Sequence, residues 1–173
     1  MGIPVARLNH AVLYVRDATA ASEFYGRVFG FEVVESAFGG RAVFMRASSG
    51  ENHHDLGLFS VGPDAPRPAR GSVGLYHLAW EVETLADLAE IAERLETRGA
   101  LVGATDHGTT KALYAKDPDG LELEVSWLVP ADRLTPEILQ ARSGLAPLDL
   151  PKEIETFGAD TVGGLGISVP APA

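Results

Sequence analysis

The chain has 173 residues, 46% hydrophobic and 22% charged, which fits one compact unit or two small modules sharing a core. A net charge of −10, a pI of about 4.9 and the lack of any basic run exclude nucleic acid and anionic membrane surfaces as expected partners. There is no cysteine, so disulfides and thiolate metal sites are excluded. Arg7, Asn9 and His10 interrupt any apolar leader, and no stretch reaches the roughly 20 apolar residues of a membrane span. A cytoplasmic protein is the expectation.

Residues 8–15 (Leu8-Asn9-His10-Ala11-Val12-Leu13-Tyr14-Val15) alternate and predict a strand. Leu8, His10, Val12 and Tyr14 fall on one face; Asn9, Ala11, Leu13 and Val15 fall on the other. Asp17 is placed to cap a helix over 18–29 that stops at Gly30 and buries Phe24, Val28 and Phe29. Strands are expected over 31–36, 41–47 and 54–61, separated by Gly39-Gly40 and Ser48-Ser49-Gly50. Residues 62–72, with Pro63, Pro66 and Pro68, read as an extended linker. The order then repeats. A strand is expected over 74–82, then a helix over 85–98 with Thr84 as cap, Asp87 three residues on and Gly99 as stop. Strands follow over 100–104, 110–116 and 121–127, the last two joined by the turn Asp117-Pro118-Asp119-Gly120. Thr135-Pro136-Glu137 starts a short helix ending near Gly144. Residues 145–173, rich in Pro and Gly, are expected to be extended and partly mobile. The fold class is therefore α+β: two βαβββ modules, about 8–61 and 73–129, then a C-terminal helix and tail, forming a single domain over 1–173.

The second module opens with Leu75-Tyr76-His77-Leu78-Ala79-Trp80-Glu81-Val82, so His77 matches His10 at an offset of 67 residues (77 minus 10). A bland core strand does not need imidazole twice at matching positions, because each polar nitrogen must find a partner. Leu78, Trp80 and Val82 are expected to face the helix, leaving His77 on the opposite face. In 121–127, Leu121, Leu123, Val125 and Trp127 alternate with Glu122, Glu124 and Ser126. Such glutamates ordinarily face water, but Glu124 is expected to share its face with both histidines. His10, His77 and Glu124 then form a 2-His-1-carboxylate set with open positions for a divalent first-row metal. Glu122, nearer the turn, is the alternative carboxylate.

The paired L-x-H strands, the two modules and the D-P-D-G-x-x-x-E run ending in Glu124 resemble the vicinal oxygen chelate superfamily across residues 8–129. Its members include glyoxalase I, fosfomycin-resistance enzymes, bleomycin-binding proteins and type I extradiol ring-cleaving dioxygenases. His53-His54-Asp55-Leu56-Gly57-Leu58 resembles the H-H-x-L-x-L segment of the dioxygenases, which implies that His54 handles oxygen-derived species. Tyr114, ten residues before Glu124 (124 minus 114), has their tyrosine-to-glutamate spacing. His107 resembles the histidine ahead of that tyrosine strand, at a shorter spacing than usual. The resemblance implies a cupped mixed sheet around a metal site. It also implies Fe(II), with Mn(II) as the alternative, on His10, His77 and Glu124, and catalytic roles for His54, His107 and Tyr114. A small aromatic diol and O2 would be the substrates, in aromatic-compound catabolism, and the protein would be a homodimer. Val12, Tyr14, Phe44, Phe59 and part of 130–173 would wall the pocket.

Three other readings stay open. Glyoxalase I uses a second glutamate, yet the 67-residue offset places Gly57 opposite Glu124, with Asp55 the nearest acid. Fosfomycin-resistance enzymes share the triad. A metal-free module could trap a planar drug between dimer arms, but it would have no need of the triad. His54, His107 and Tyr114 favour the dioxygenase.

Overall fold

The computed structural model describes residues 5, 7–69, 71, 73–164 and 168, and divides into two compact units, Met1–Ala69 and Arg70–Ala173. The first unit holds β1 (Ala11–Val15), α1 (Ala18–Phe29), β2 (Glu32–Ala37), β3 (Ala42–Arg46) and β4 (Leu56–Ser60). Its sheet runs in the order β1-β4-β3-β2, with β1 and β4 parallel and the other pairs antiparallel. Alternation sorts β1 as predicted: Leu13 and Val15 are buried, Val12 and Tyr14 exposed. The Asp17 side chain accepts hydrogen bonds from the amides of Thr19 and Ala20 at the start of α1. Gly30 ends the helix in the left-handed conformation, at φ 73°. The buried stripe of α1 includes Ala21, Phe24, Tyr25 and Val28, spaced three and four residues apart. Phe29, one step past that stripe, is only half-buried, and Tyr25 takes the place expected of it.

Two strands start later than expected. The β1 ladder begins where the Ala11 amide donates to the Asp55 carbonyl, so Leu8, Asn9 and His10 precede the strand. β4 begins at Leu56, one residue after Asp55, which closes the preceding loop. Its carboxylate accepts from the Ala47 amide and the Asn52 side chain. His53 and His54 therefore sit on a turn at the strand's entrance.

The second unit holds β5 (His77–Glu81), α2 (Leu85–Thr97), β6 (Leu101–Asp106), β7 (Thr110–Lys116), β8 (Glu122–Leu128), α3 (Pro136–Gln140), β9 (Ala146–Pro147) and α4 (Leu150–Phe157). Its sheet order, β5-β8-β7-β6-β9, repeats the first and adds a strand. Here too the first strand starts late, at His77 rather than residue 74. Thr84 and Asp87 form the expected reciprocal cap on α2. Asp117 accepts from the amides of Asp119 and Leu121 and shapes the β7–β8 hairpin. The duplication extends to hydrogen-bond register. Ala11 pairs with Leu56 as Leu78 pairs with Leu123, each 67 residues on (78 minus 11, 123 minus 56). Bulges recur between Val33 and Glu35 and between Leu101 and Gly103. The fold is α+β with mixed sheets, as predicted.

The tail differs from expectation. β9 pairs with β6, and α4 is a helix of 8 residues where extended chain was expected. Asp149 caps it by accepting from the Lys152 amide. The buried Lys111 ammonium pairs with Asp106 at 2.6 Å and with Glu153 of α4 at 2.9 Å. The Trp127 indole donates to the Thr161 carbonyl and packs 5.5 Å from the Phe157 ring. So short a helix is unstable alone and forms by docking, although Asp149 and Pro151 mark its start in the sequence. Residues 165–167 and 169–173, also expected to be mobile, lie outside the described residues. Among the described residues no helix is long and apolar enough to cross a membrane.

Candidate metal and catalytic site

Sheet register builds the cluster in the second unit. His77 pairs with Glu122, Ala79 with Glu124, and Glu124 in turn with Tyr114. Register partners project to the same face of a sheet, so His77, Glu124 and Tyr114 converge. The Nε2 of His77 donates to Oε2 of Glu124 at 3.2 Å, with the two side chains 25% and 15% exposed. His77 Nδ1 is buried with no hydrogen-bond partner among the described residues. The Tyr114 hydroxyl is hydrogen-bonded to Glu124 and lies 3.0 Å from His107 Nε2. Burial pushes the Tyr114 phenol above its ordinary range, and the Glu124 charge, the bond to Glu124 and Tyr76 add to the rise. His107 sits on the turn between β6 and β7, where its Nδ1 donates to the Gly144 carbonyl at 3.0 Å. Glu122, the alternative carboxylate, instead pairs with Lys116 at 3.4 Å near the surface.

A second cluster lies in the first unit. His10 donates from Nδ1 to the side-chain oxygen of Asn9 at 2.7 Å, which leaves the Nε2 lone pair free. Asn9 is itself oriented by Asn52. The Asn52 Oδ1 accepts from Asn9 Nδ2 at 3.5 Å and from Arg7 at 2.6 Å, while its Nδ2 donates to the Asn9 carbonyl and to Asp55. The His54 ring lies 4.6 Å from His10 and 5.0 Å from Phe44, and its Nδ1 is 3.1 Å from that of the exposed His53. Burial lowers the His54 pKa, and His10 and then His53 lower it further. Phe44 and Phe59 pack edge-on at 5.8 Å, and Val12 and Tyr14 are exposed on the same strand face as His10.

Corresponding positions expose the asymmetry of the repeat. Val12 and Phe44 flank Gly57 as Ala79 and Tyr114 flank Glu124. The first module thus carries glycine and phenylalanine where the second carries carboxylate and phenol. His77, Glu124, Tyr114 and His107 come together within the second unit, and His10 and His54 within the first. Among the described residues no group of three or more His, Asp or Glu side chains is gathered to hold a metal ion. Sequence reasoning missed Asn9, Asn52 and Gly144. Asn9 had the signal of adjacency to His10; a backbone carbonyl has none.

Residues 7–125 match the model of the Glyoxalase/Bleomycin resistance protein/Dioxygenase superfamily. The chain belongs to this superfamily. Biphenyl-2,3-diol 1,2-dioxygenase 3 of Rhodococcus globerulus is 32% identical over 121 residues, covering 69% of this chain and 62% of that protein. Catechol-2,3-dioxygenase of Bacillus subtilis (strain 168) is 30% identical over 119 residues, 68% of this chain and 40% of that protein. The chain therefore matches less than two thirds of the length of either relative. A superfamily domain from Frankia sp. EAN1pec superposes with a TM-score of 0.63 at 22% identity, covering 73% of this chain and 100% of that one. Lactoylglutathione lyase from Agrobacterium tumefaciens gives 0.53 at 26% identity, covering 72% of this chain and 95% of that one.

Within the second unit, His77 and Glu124 are placed as two of the ligands for the metal that the superfamily resemblance implies. Two atoms each about 2.1 Å from one first-row ion, on neighbouring positions, lie about 3 Å apart. The His77 and Glu124 donor atoms already stand at 3.2 Å. His10, with Nδ1 committed to Asn9, offers its Nε2 lone pair. An imidazole and a carboxylate are ligand types that suit Fe(II) or Mn(II).

Proposed function

We propose that the chain is a metal-dependent extradiol dioxygenase, opening the ring of a catechol-type diol with O2 just outside the two hydroxylated carbons. The reading is carried by the His77–Glu124 donor pair with Tyr114 and His107 hydrogen-bonded beside it. The two dioxygenase relatives support it. His10, His77 and Glu124 would hold the ion, Fe(II) or Mn(II). A bound ion of this kind supplies a template for the diol and the one-electron chemistry that O2 requires. Tyr114 hydrogen-bonds a diol oxygen, and its raised pKa keeps the phenol protonated for that task. His107 orients the diol through Tyr114. His54, kept neutral by burial, accepts and returns a proton on the oxygen side. Phe44, Phe59 and Val12 offer an apolar wall to the ring.

The competing reading is a glyoxalase, favoured by the likeness to lactoylglutathione lyase. Gly57 stands against it, because the position matching Glu124 carries no second carboxylate. Anaerobic reconstitution with Fe(II), followed by O2 uptake and ring-fission absorbance on a panel of catechols, tests the proposal. A yellow product formed with matching O2 consumption is expected. Tight metal binding without O2 uptake overturns it in favour of glyoxalase or fosfomycin-type chemistry. No metal binding overturns it in favour of a drug-binding module.

A further inference from the structure

The segment after the superfamily match reaches back into the site. The matched region ends at residue 125, yet the Gly144 carbonyl lies 3.0 Å from His107 Nδ1. A carbonyl can only accept, so Nδ1 must carry the hydrogen. A neutral imidazole has one hydrogen, and Nε2 is then a bare lone pair facing the Tyr114 hydroxyl at 3.0 Å. The packing that brings Gly144 there is tight. Gly108, next to His107, has φ +73°, and a Cβ on it would stand 2.5 Å from the Ile138 carbonyl and 2.9 Å from the Ala141 side chain. Thr135 stabilises the start of α3 by accepting from the Ile138 amide at 3.3 Å. The 3-10 turn Ala141–Ser143 that follows α3 then closes with the Gly144 amide donating to Ala141.

We infer that Gly144, held by the α3 elbow, is a positioning group that locks His107 in the Nδ1–H tautomer, so that the ring presents an acceptor and not a donor to Tyr114. In water a neutral imidazole prefers its hydrogen on Nε2, so the lock reverses the intrinsic preference. The Tyr114 hydroxyl has one hydrogen and two acceptors, His107 Nε2 and the Glu124 carboxylate, and serves one at a time. With His107 unable to donate from Nε2, the phenol hydrogen can turn to His107, which frees the Glu124 oxygen and leaves the phenol oxygen to accept from a diol hydroxyl. The tautomer rests on geometry alone; only its catalytic consequence rests on the proposed dioxygenase activity.

The test is a two-dimensional 15N–1H spectrum of the imidazole rings in the full chain, metal-free, at a pH well above the ordinary imidazole range. His107→Gln assigns the resonance. The wild-type ring is expected to show the Nδ1–H pattern. Gly108→Ala pushes the elbow away, and its His107 ring is expected to show Nε2–H or an average of the two forms. Pro136→Gly, which loosens α3 without touching the His107 turn, is expected to shift the ring the same way and serves if Gly108→Ala does not fold. A wild-type Nε2–H ring, or an Nδ1–H ring unchanged in the folded variants, overturns the inference. In the diol assay the same variants are expected to lose roughly 10-fold in kcat with KM little changed. An altered tautomer with kcat unchanged overturns the catalytic consequence. A wild type without dioxygenase activity refutes the proposed function and leaves the spectral test intact.

Discussion

His54 lies between two other imidazoles, and its charge state links the site to acid stability. Burial and the neighbouring His10 and His53 hold it neutral in the folded chain. As pH falls through the ordinary imidazole range, the unfolded chain gains a proton that the folded chain refuses. Stability therefore drops over that window until the depressed folded value is reached. His54→Gln is expected to flatten the acid limb of a denaturation series, to keep diol binding and to lose turnover; unchanged turnover would remove His54 from the mechanism. Tyr114 has the opposite sense. Its raised phenol value gives stability that is complete below the ordinary tyrosine range and is lost as pH climbs towards the folded value. Tyr114→Phe is expected to remove this alkaline loss, read as a flat melting temperature where the parent declines.

The elements that were legible from sequence are those whose ends carry their own chemistry. α1 has its Asp17 cap and Gly30 stop, and α2 has its Thr84–Asp87 box. These signals are local, so a sequence displays them. β1, β4 and β5 were found but drawn too long, because a strand ends where its partner's hydrogen bonds end, which is set by a distant segment. In the site, the pairing of His77 with Glu124 and Tyr114 follows from strand alternation and is readable. The orientation of His10 by Asn9 and Asn52, and of His107 by Gly144, depends on loop geometry and is not. α4 was missed although Asp149, Pro151 and Gly158 mark its ends, because the surrounding Pro and Gly read as extended chain and its anchor is Lys111, a residue 46 positions from its far end at Phe157 (157 minus 111). Lys111→Ala leaves Asp106 and Glu153 without their buried cation and is expected to cost about 3–5 kcal/mol. Chemical denaturation reads that loss, and the near-ultraviolet dichroism of Trp127, which packs on Phe157, reports the release of α4. A destabilisation below about 1 kcal/mol, the scale of a surface ion pair, would sink the anchoring role.

At the scale of the whole chain, a duplicated module has diverged in its chemistry while keeping its register. One half holds His77, Glu124 and Tyr114, and the other holds His10 with Gly57 and Phe44 at the remaining places. The proposal therefore requires one metal per chain and not one per module. Calorimetric titration with Mn(II) is expected to give a stoichiometry of about one, with binding abolished in both His10→Ala and Glu124→Ala. Binding retained at full stoichiometry in His10→Ala would show that the second module holds the ion without the first. The two sheets also differ in how their outer strands are finished. In the second unit β9 lies along β6 and takes up hydrogen bonds that would otherwise face solvent. In the first unit β2 is the last strand on its side among the described residues, and Val33 and Val34 are exposed along it. Its safeguards are the charges of Glu32 and Glu35 and the bulge between Val33 and Glu35. Loss of those two charges would open β2 to strand addition from another molecule, so aggregation of this protein would nucleate in its N-terminal sheet.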